Sequence, residues 1–193
     1  MRERFNSAST TTPSPPSSKF DIGARLAQAR SSALTTTTAV IPHPTFEEAI
    51  IGQVFFLPAQ AEISTSSKAY QKYLGNIWEH PVVVISKNLE EKTVDCLICT
   101  SFTRCGSNGI LYTKKSLASR KQHLLCENTD KKVSTHDGTQ LLTMKAGSEI
   151  FSKATYVNTV NDSVTIEYYH LKQYKTGSGK AIIFSEESMA LLS

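Results

Sequence analysis

Residues 80–86 read His-Pro-Val-Val-Val-Ile-Ser, with four β-branched side chains in unbroken succession. Branching at Cβ disfavours helix and suits a pleated sheet, and a run without polar alternation marks a strand buried on both faces. Residues 88–92 are polar enough for a hairpin loop, and 94–101 supply another strand close enough in sequence to pair antiparallel with the first. Residues 52–58, Gly-Gln-Val-Phe-Phe-Leu-Pro, read as an earlier strand bounded by a glycine and a proline.

Shorter signals fill the remainder. Thr45, followed by Glu47 and Glu48, suits one capped helical turn. Residues 59–79 are polar, with a turn at Gly75-Asn76, and 103–132 lack clear periodicity apart from a short helix predicted over 116–126. His136-Asp137-Gly138 is a turn and 140–144 a strand; 154–158 and 164–168 are two more strands, joined by the turn Asn161-Asp162. Residues 169–174 are expected to close as a single helical turn, and 182–184 as a last short strand. Ser185 caps a terminal helix with Glu186 and Glu187 in its first turn and Met189, Leu191 and Leu192 as its apolar residues. Six or seven short strands with loops of uneven length predict a mainly β fold, a small barrel or sandwich with a short C-terminal helix.

Composition divides the chain. Residues 1–45 hold few apolar side chains and many of Ser, Thr and Pro, and cannot bury enough area to offset the entropy of ordering; they are expected to be a disordered tail. Residues 46–193 then form one domain of the 193-residue chain. Arg2, Arg4, Arg25 and Arg30 among many hydroxyl residues loosely resemble a mitochondrial presequence, but a disordered arm is the reading adopted. With no signal-peptide core and no run of about 18 apolar residues, the expectation is a soluble cytoplasmic or nuclear protein with no membrane association. Its cysteines, Cys96, Cys99, Cys105 and Cys126, are then reduced.

The pair Cys96-x-x-Cys99 invites a zinc reading, but residues three apart on a strand point to opposite faces, and Leu97-Ile98 is a poor turn. Buried structural cysteines are expected instead, with neither metal nor cofactor. His80, His123, His136 and His170 have no nucleophile placed beside them by a local signature, and Gly177-Ser178-Gly179-Lys180 lacks phosphate-loop spacing. A net charge of +4 and a pI of 8.8 are compatible with nucleic acid. Lys114, Lys115, Arg120 and Lys121 have the composition that tracks a phosphate backbone, and are the candidate nucleic-acid-binding residues against the reading of a merely solvated loop. Tyr156, Tyr168, Tyr169 and Tyr174 are expected mainly in core and edge contacts, with a base-stacking platform as the alternative.

Gly52-Gln-Val-Phe-Phe-Leu, His80-Pro-Val-Val-Val-Ile-Ser, Val94-Asp-Cys-Leu-Ile-Cys-Thr100, Ala154-Thr-Tyr-Val-Asn158 and Leu171 together resemble the MazF/PemK toxin barrel. The resemblance spans most of residues 50–175, and the phrase Tyr156-Val-Asn158-Thr is also similar to a group of uncharacterised fungal proteins with the same strand order. It implies a small SH3-like barrel, usually dimeric in the toxins, which cleave single-stranded RNA. It carries the family's catalytic Thr onto Thr100, while His80 stands where the toxins have Arg and Gln53 where they have Asp. Arg offers a permanent bidentate cation, whereas His is smaller and titratable, though able to serve as general acid or base. The expected function is therefore a non-catalytic binding module for RNA or a protein partner, including a second copy of the chain. The alternative is an endoribonuclease using His80 and Thr100 as catalytic residues.

Overall fold

The computed structural model describes residues 43–193 except 74, 76, 103–108 and 161–162. The predicted tail up to residue 42, Asn76, Cys105 and the turn Asn161-Asp162 lie outside the described residues. Among those described, seven strands occur: β1 (Val54–Phe56), β2 (Pro81–Asn88), β3 (Thr93–Thr100), β4 (His123–Leu125), β5 (Tyr156–Asn158), β6 (Val164–Glu167) and β7 (Lys172–Gln173). Four short helices accompany them: α1 (Lys68–Lys72), α2 (Gly109–Thr113), α3 (Leu117–Lys121) and α4 (Glu186–Leu192). No helix among the described residues is long and apolar enough to cross a membrane.

The fold is mainly β, and every strand pair is antiparallel. The β2–β3 hairpin predicted from the sequence is its centre, closed by Asn88, whose Oδ1 accepts from the backbone N–H of Glu90 at 3.0 Å and Glu91 at 3.1 Å. β1 flanks β2 and β7 flanks β1. The far edge of β3 splits: Thr93 to Cys96 pair with β6, whereas Cys99 and Thr100 pair with β5, which in turn carries β4. The chain enters β1 through Gly52 at φ +85°, a left-handed conformation that glycine adopts without a Cβ penalty.

The unbroken β-branched run is buried on both faces, as its pattern demands. Val82 and Val84 face one core with Phe46, Phe55, Leu57, Trp78 and Ile166, while Val83 faces a second with Val54, Leu97, Leu142, Phe151 and Phe184. β3 obeys the same period of two: Cys96 belongs to the first core and Cys99 to the second.

The strand ladders leave the sheet open, ending at β4 on one side and β7 on the other. Residues 140–144 and 182–184, predicted as strands, make only isolated bridges: Gln53 with Ile183, Met144 with Phe184, and Cys126 with Leu142. Leu142 and Met144 are buried and alternate with exposed neighbours as a strand should. Their ladder is interrupted because the N–H of Thr143 donates to Ser188 Oγ at 2.7 Å on α4, diverting a backbone group to a side chain. The predicted helix over 116–126 stops at Lys121, and His123 to Leu125 extend instead to pair with β5. Residues 169–174 form the predicted helical turn only at their start. A 3-10 turn at Tyr168–His170 gives way to β7, which pairs with the outer edge of β1. α1 and α2 were not legible, being too short to show a helical period.

Candidate functional site

His80 immediately precedes Pro81 at the start of β2, and Thr100 ends β3. A residue before proline is held extended, so the approach to β2 is set locally. The tertiary register then decides which residues meet. Near the hairpin loop Ser86 pairs with Asp95, but a β-bulge between Val84 and Ser86 shifts the register so that Val82 pairs with Ile98. Continued by two residues, this register brings His80 opposite Thr100; without the bulge, Pro81 would occupy that position.

Both residues line a single pocket of about 320 Å³ at the adjoining ends of β1, β2 and β3, with Glu79, Ser101, Lys153 and Tyr174 also on its wall. Glu79 takes a left-handed backbone, φ +60°, uncommon for a side-chain-bearing residue. Its N–H donates to Pro58 O at 3.2 Å, and the N–H of Leu57 donates to His80 O at 2.9 Å, so the kink is held from the β1 side. The turn in the chain lets the consecutive residues 79–81 all border the pocket, which a straight strand would not do.

The His80 ring is tethered by Nδ1 to the Trp78 carbonyl at 2.7 Å, and Trp78 is itself buried in the first core. A carbonyl only accepts, so Nδ1 carries the hydrogen and the neutral ring keeps Nε2 as its acceptor. Cys99 forms part of the pocket floor, but complete burial pushes its thiol up to about 12, which leaves it protonated and inert as a nucleophile. Burial likewise raises the thiols of Cys96 and Cys126. Cys96 and Cys99 lie in different cores, so they do not converge on one ion. Among the described residues no group of three His, Cys, Asp or Glu side chains is arranged to hold a metal.

The basic residues named from the sequence lie on the α2–α3 segment. Lys115 and Lys121 are exposed, and Lys114 stands 6.0 Å from the ring centre of Phe102. Arg120 is engaged internally. Its Nε and Nη2 donate to the two carboxylate oxygens of Asp137 at 2.6 and 3.0 Å, and its Nη1 donates to Lys115 O at 3.0 Å. The tyrosines disperse: Tyr156 packs beside Phe102, Tyr168 beside Phe46, and Tyr169 is exposed, so only Tyr174 reaches the pocket. Tyr174 carried a sequence signal as part of that aromatic group, and Glu79 adjoins His80. Ser101 ends the predicted third strand, but Lys153 sits in a loop whose sequence marks nothing. No protein-family model, curated protein or solved structure matches the chain.

Proposed function

We propose that the domain is a non-catalytic module that binds single-stranded RNA in the pocket bordered by His80 and Thr100. The observation that carries this reading is the pocket itself. It combines an exposed lysine for phosphate, an aromatic ring for a base, and hydroxyls and an imidazole that can exchange hydrogen bonds with ribose and base edges. Lys114, Lys115 and Lys121 extend the positive charge along the chain beyond Phe102, which follows the pocket residue Ser101. Arg120, bonded to Asp137, contributes rigidity to that segment rather than a phosphate contact.

A MazF/PemK-like barrel is the fold reading that accompanies this proposal. Its support is the path of backbone pairing. Gln53, the residue before β1, bridges to Ile183, Phe184 to Met144, and Leu142 to Cys126, the residue after β4; from there β5, β3 and β2 lead back to β1. The second core fills the space inside this circuit. A second functional reading, endoribonuclease, is favoured by the tethered His80 ring. Its Nε2 would accept the proton of a ribose 2′-hydroxyl, whose oxygen attacks the adjacent phosphorus while the bond to the 5′-oxygen breaks and that oxygen takes a proton from water, and Lys153 would face the developing charge.

The test is incubation of the full chain with labelled single-stranded RNA, followed by both binding and product analysis. Expected are intact RNA, affinity that falls as salt rises, and weaker binding by about tenfold in Lys153→Ala combined with His80→Ala. Cleavage of RNA, absent when the scissile ribose is 2′-deoxy and lost in His80→Ala, would replace the binding reading with the enzymatic one. RNA that is neither bound nor cut at low salt would remove both.

A further inference from the structure

A second pocket of about 250 Å³ adjoins the first, and Tyr174 lines both. Two segments contribute to both walls: Lys153 and Tyr174 border the first pocket, and Ser152, Tyr174 and Lys175 border the second. Each pocket also has one lysine and one glutamate in its lining, Lys153 and Glu79 in the first and Lys175 and Glu149 in the second. Ser178 Oγ donates to Glu149 Oε1 at 2.6 Å, which orients that carboxylate and leaves its other oxygen to accept from a ligand. Phe151, buried in the second core, meets the Tyr174 ring edge-to-face at 5.9 Å and holds it at the boundary.

We infer that single-stranded RNA crosses this boundary, with successive nucleotides seated in the two pockets on either side of Tyr174. Lys153 and Lys175 take the flanking phosphates, and the glutamates accept from N–H groups on the base edges. This rests on the proposed RNA-binding reading of the first pocket and extends it. The unit recognised is a dinucleotide, and Tyr174 is the residue that sets the step between its bases. Aromatic stacking suits that role because every base has a π-face, and a lysine in each of two pockets that share an aromatic matches the alternation of phosphate and base. An extended peptide would meet the same walls, but its backbone carries no charge to engage both lysines.

The experiment uses the full chain and a fluorescein-labelled eight-residue oligouridylate, followed by anisotropy, with the dinucleotide UpU and the mononucleotide UMP as competitors. UpU is expected to compete at least tenfold better than UMP. Tyr174→Ala should weaken octamer binding about tenfold, and Tyr174→Phe, which keeps the ring and the fold, should stay within about twofold of wild type. Lys175→Ala, at an exposed position, should reduce the slope of log affinity against log salt by about 0.7. Equal competition by UMP and UpU, with wild-type affinity and salt slope in Lys175→Ala but loss in Lys153→Ala and Tyr174→Ala, would confine RNA to the first pocket and overturn the inference. Failure of the wild-type chain to bind the octamer at low salt would instead defeat the underlying RNA reading, and this inference with it.

Discussion

Arg120 carries a charge that serves the protein's own framework. Its bidentate pair with Asp137, at 2.6 and 3.0 Å, ties α3 to the turn at 136–138, and His136 approaches the same carboxylate at 3.1 Å. The Arg120 hydrogen bonds hold the Asp137 carboxyl down to about 2, against the opposing effect of burial. The sign follows from linkage. A carboxyl with a lowered folded-state value contributes stability above the ordinary carboxylate range and loses it as pH falls through about 2. Arg120→Ala should therefore lower the melting temperature at pH 7, and the gap to wild type should narrow steadily as the pH is brought from 5 towards 2. A gap that stays constant across that range in a pH series of thermal melts would show that the pair does not titrate in this way. The same residue also shows that counting cations in a sequence overstates the charge offered to a ligand, because a guanidinium held by a carboxylate is already satisfied.

Elements here are short, and each depends on a neighbour for its ends. α1 has only five residues, too few to persist alone, and its start is fastened to β6. Ser67 caps it by accepting from the N–H of Ala69 at 3.1 Å, and donates its hydroxyl to Glu167 at 2.8 Å. Glu167 accepts in addition from the N–H of Lys68 at 2.9 Å. Burial alone would raise the Glu167 carboxyl, but these donors outweigh it and hold the group below its usual range. Ser67→Ala removes a cap and one partner of a buried carboxylate, and should cost about 1–2 kcal/mol in denaturant unfolding. A loss under about 0.3 kcal/mol would mean that α1 contributes little to the folded state. The β2 bulge acts at the same scale: one extra residue changes which side chain stands opposite Thr100, and thereby assembles the pocket.

Across the whole molecule, β2 is the wall between two cores. Val83 faces one side and Val84 the other, and both are fully buried. Neither core can lose its packing without exposing the opposite face of the same strand, so the domain should unfold in one cooperative step. Val83→Ala and Val84→Ala each delete buried methyl groups and should lower stability by about 2 kcal/mol with an unchanged denaturant slope. Two resolved transitions, or a change of slope in only one variant, would mean that the cores melt separately.

The sequence by itself determined the central hairpin, the doubly buried character of β2, the opposed faces of Cys96 and Cys99, the turn at Thr45 and the Ser185-capped final helix. These features follow from local periodicity, branching at Cβ and capping chemistry, which act within a few residues of one another. Only the tertiary structure decided that β3 divides its edge between β5 and β6, that Thr143 turns to α4, and that Lys153 and Tyr174 join His80 and Thr100. Such outcomes depend on which distant backbone groups find partners as the cores fill, and a one-residue bulge is enough to redirect them.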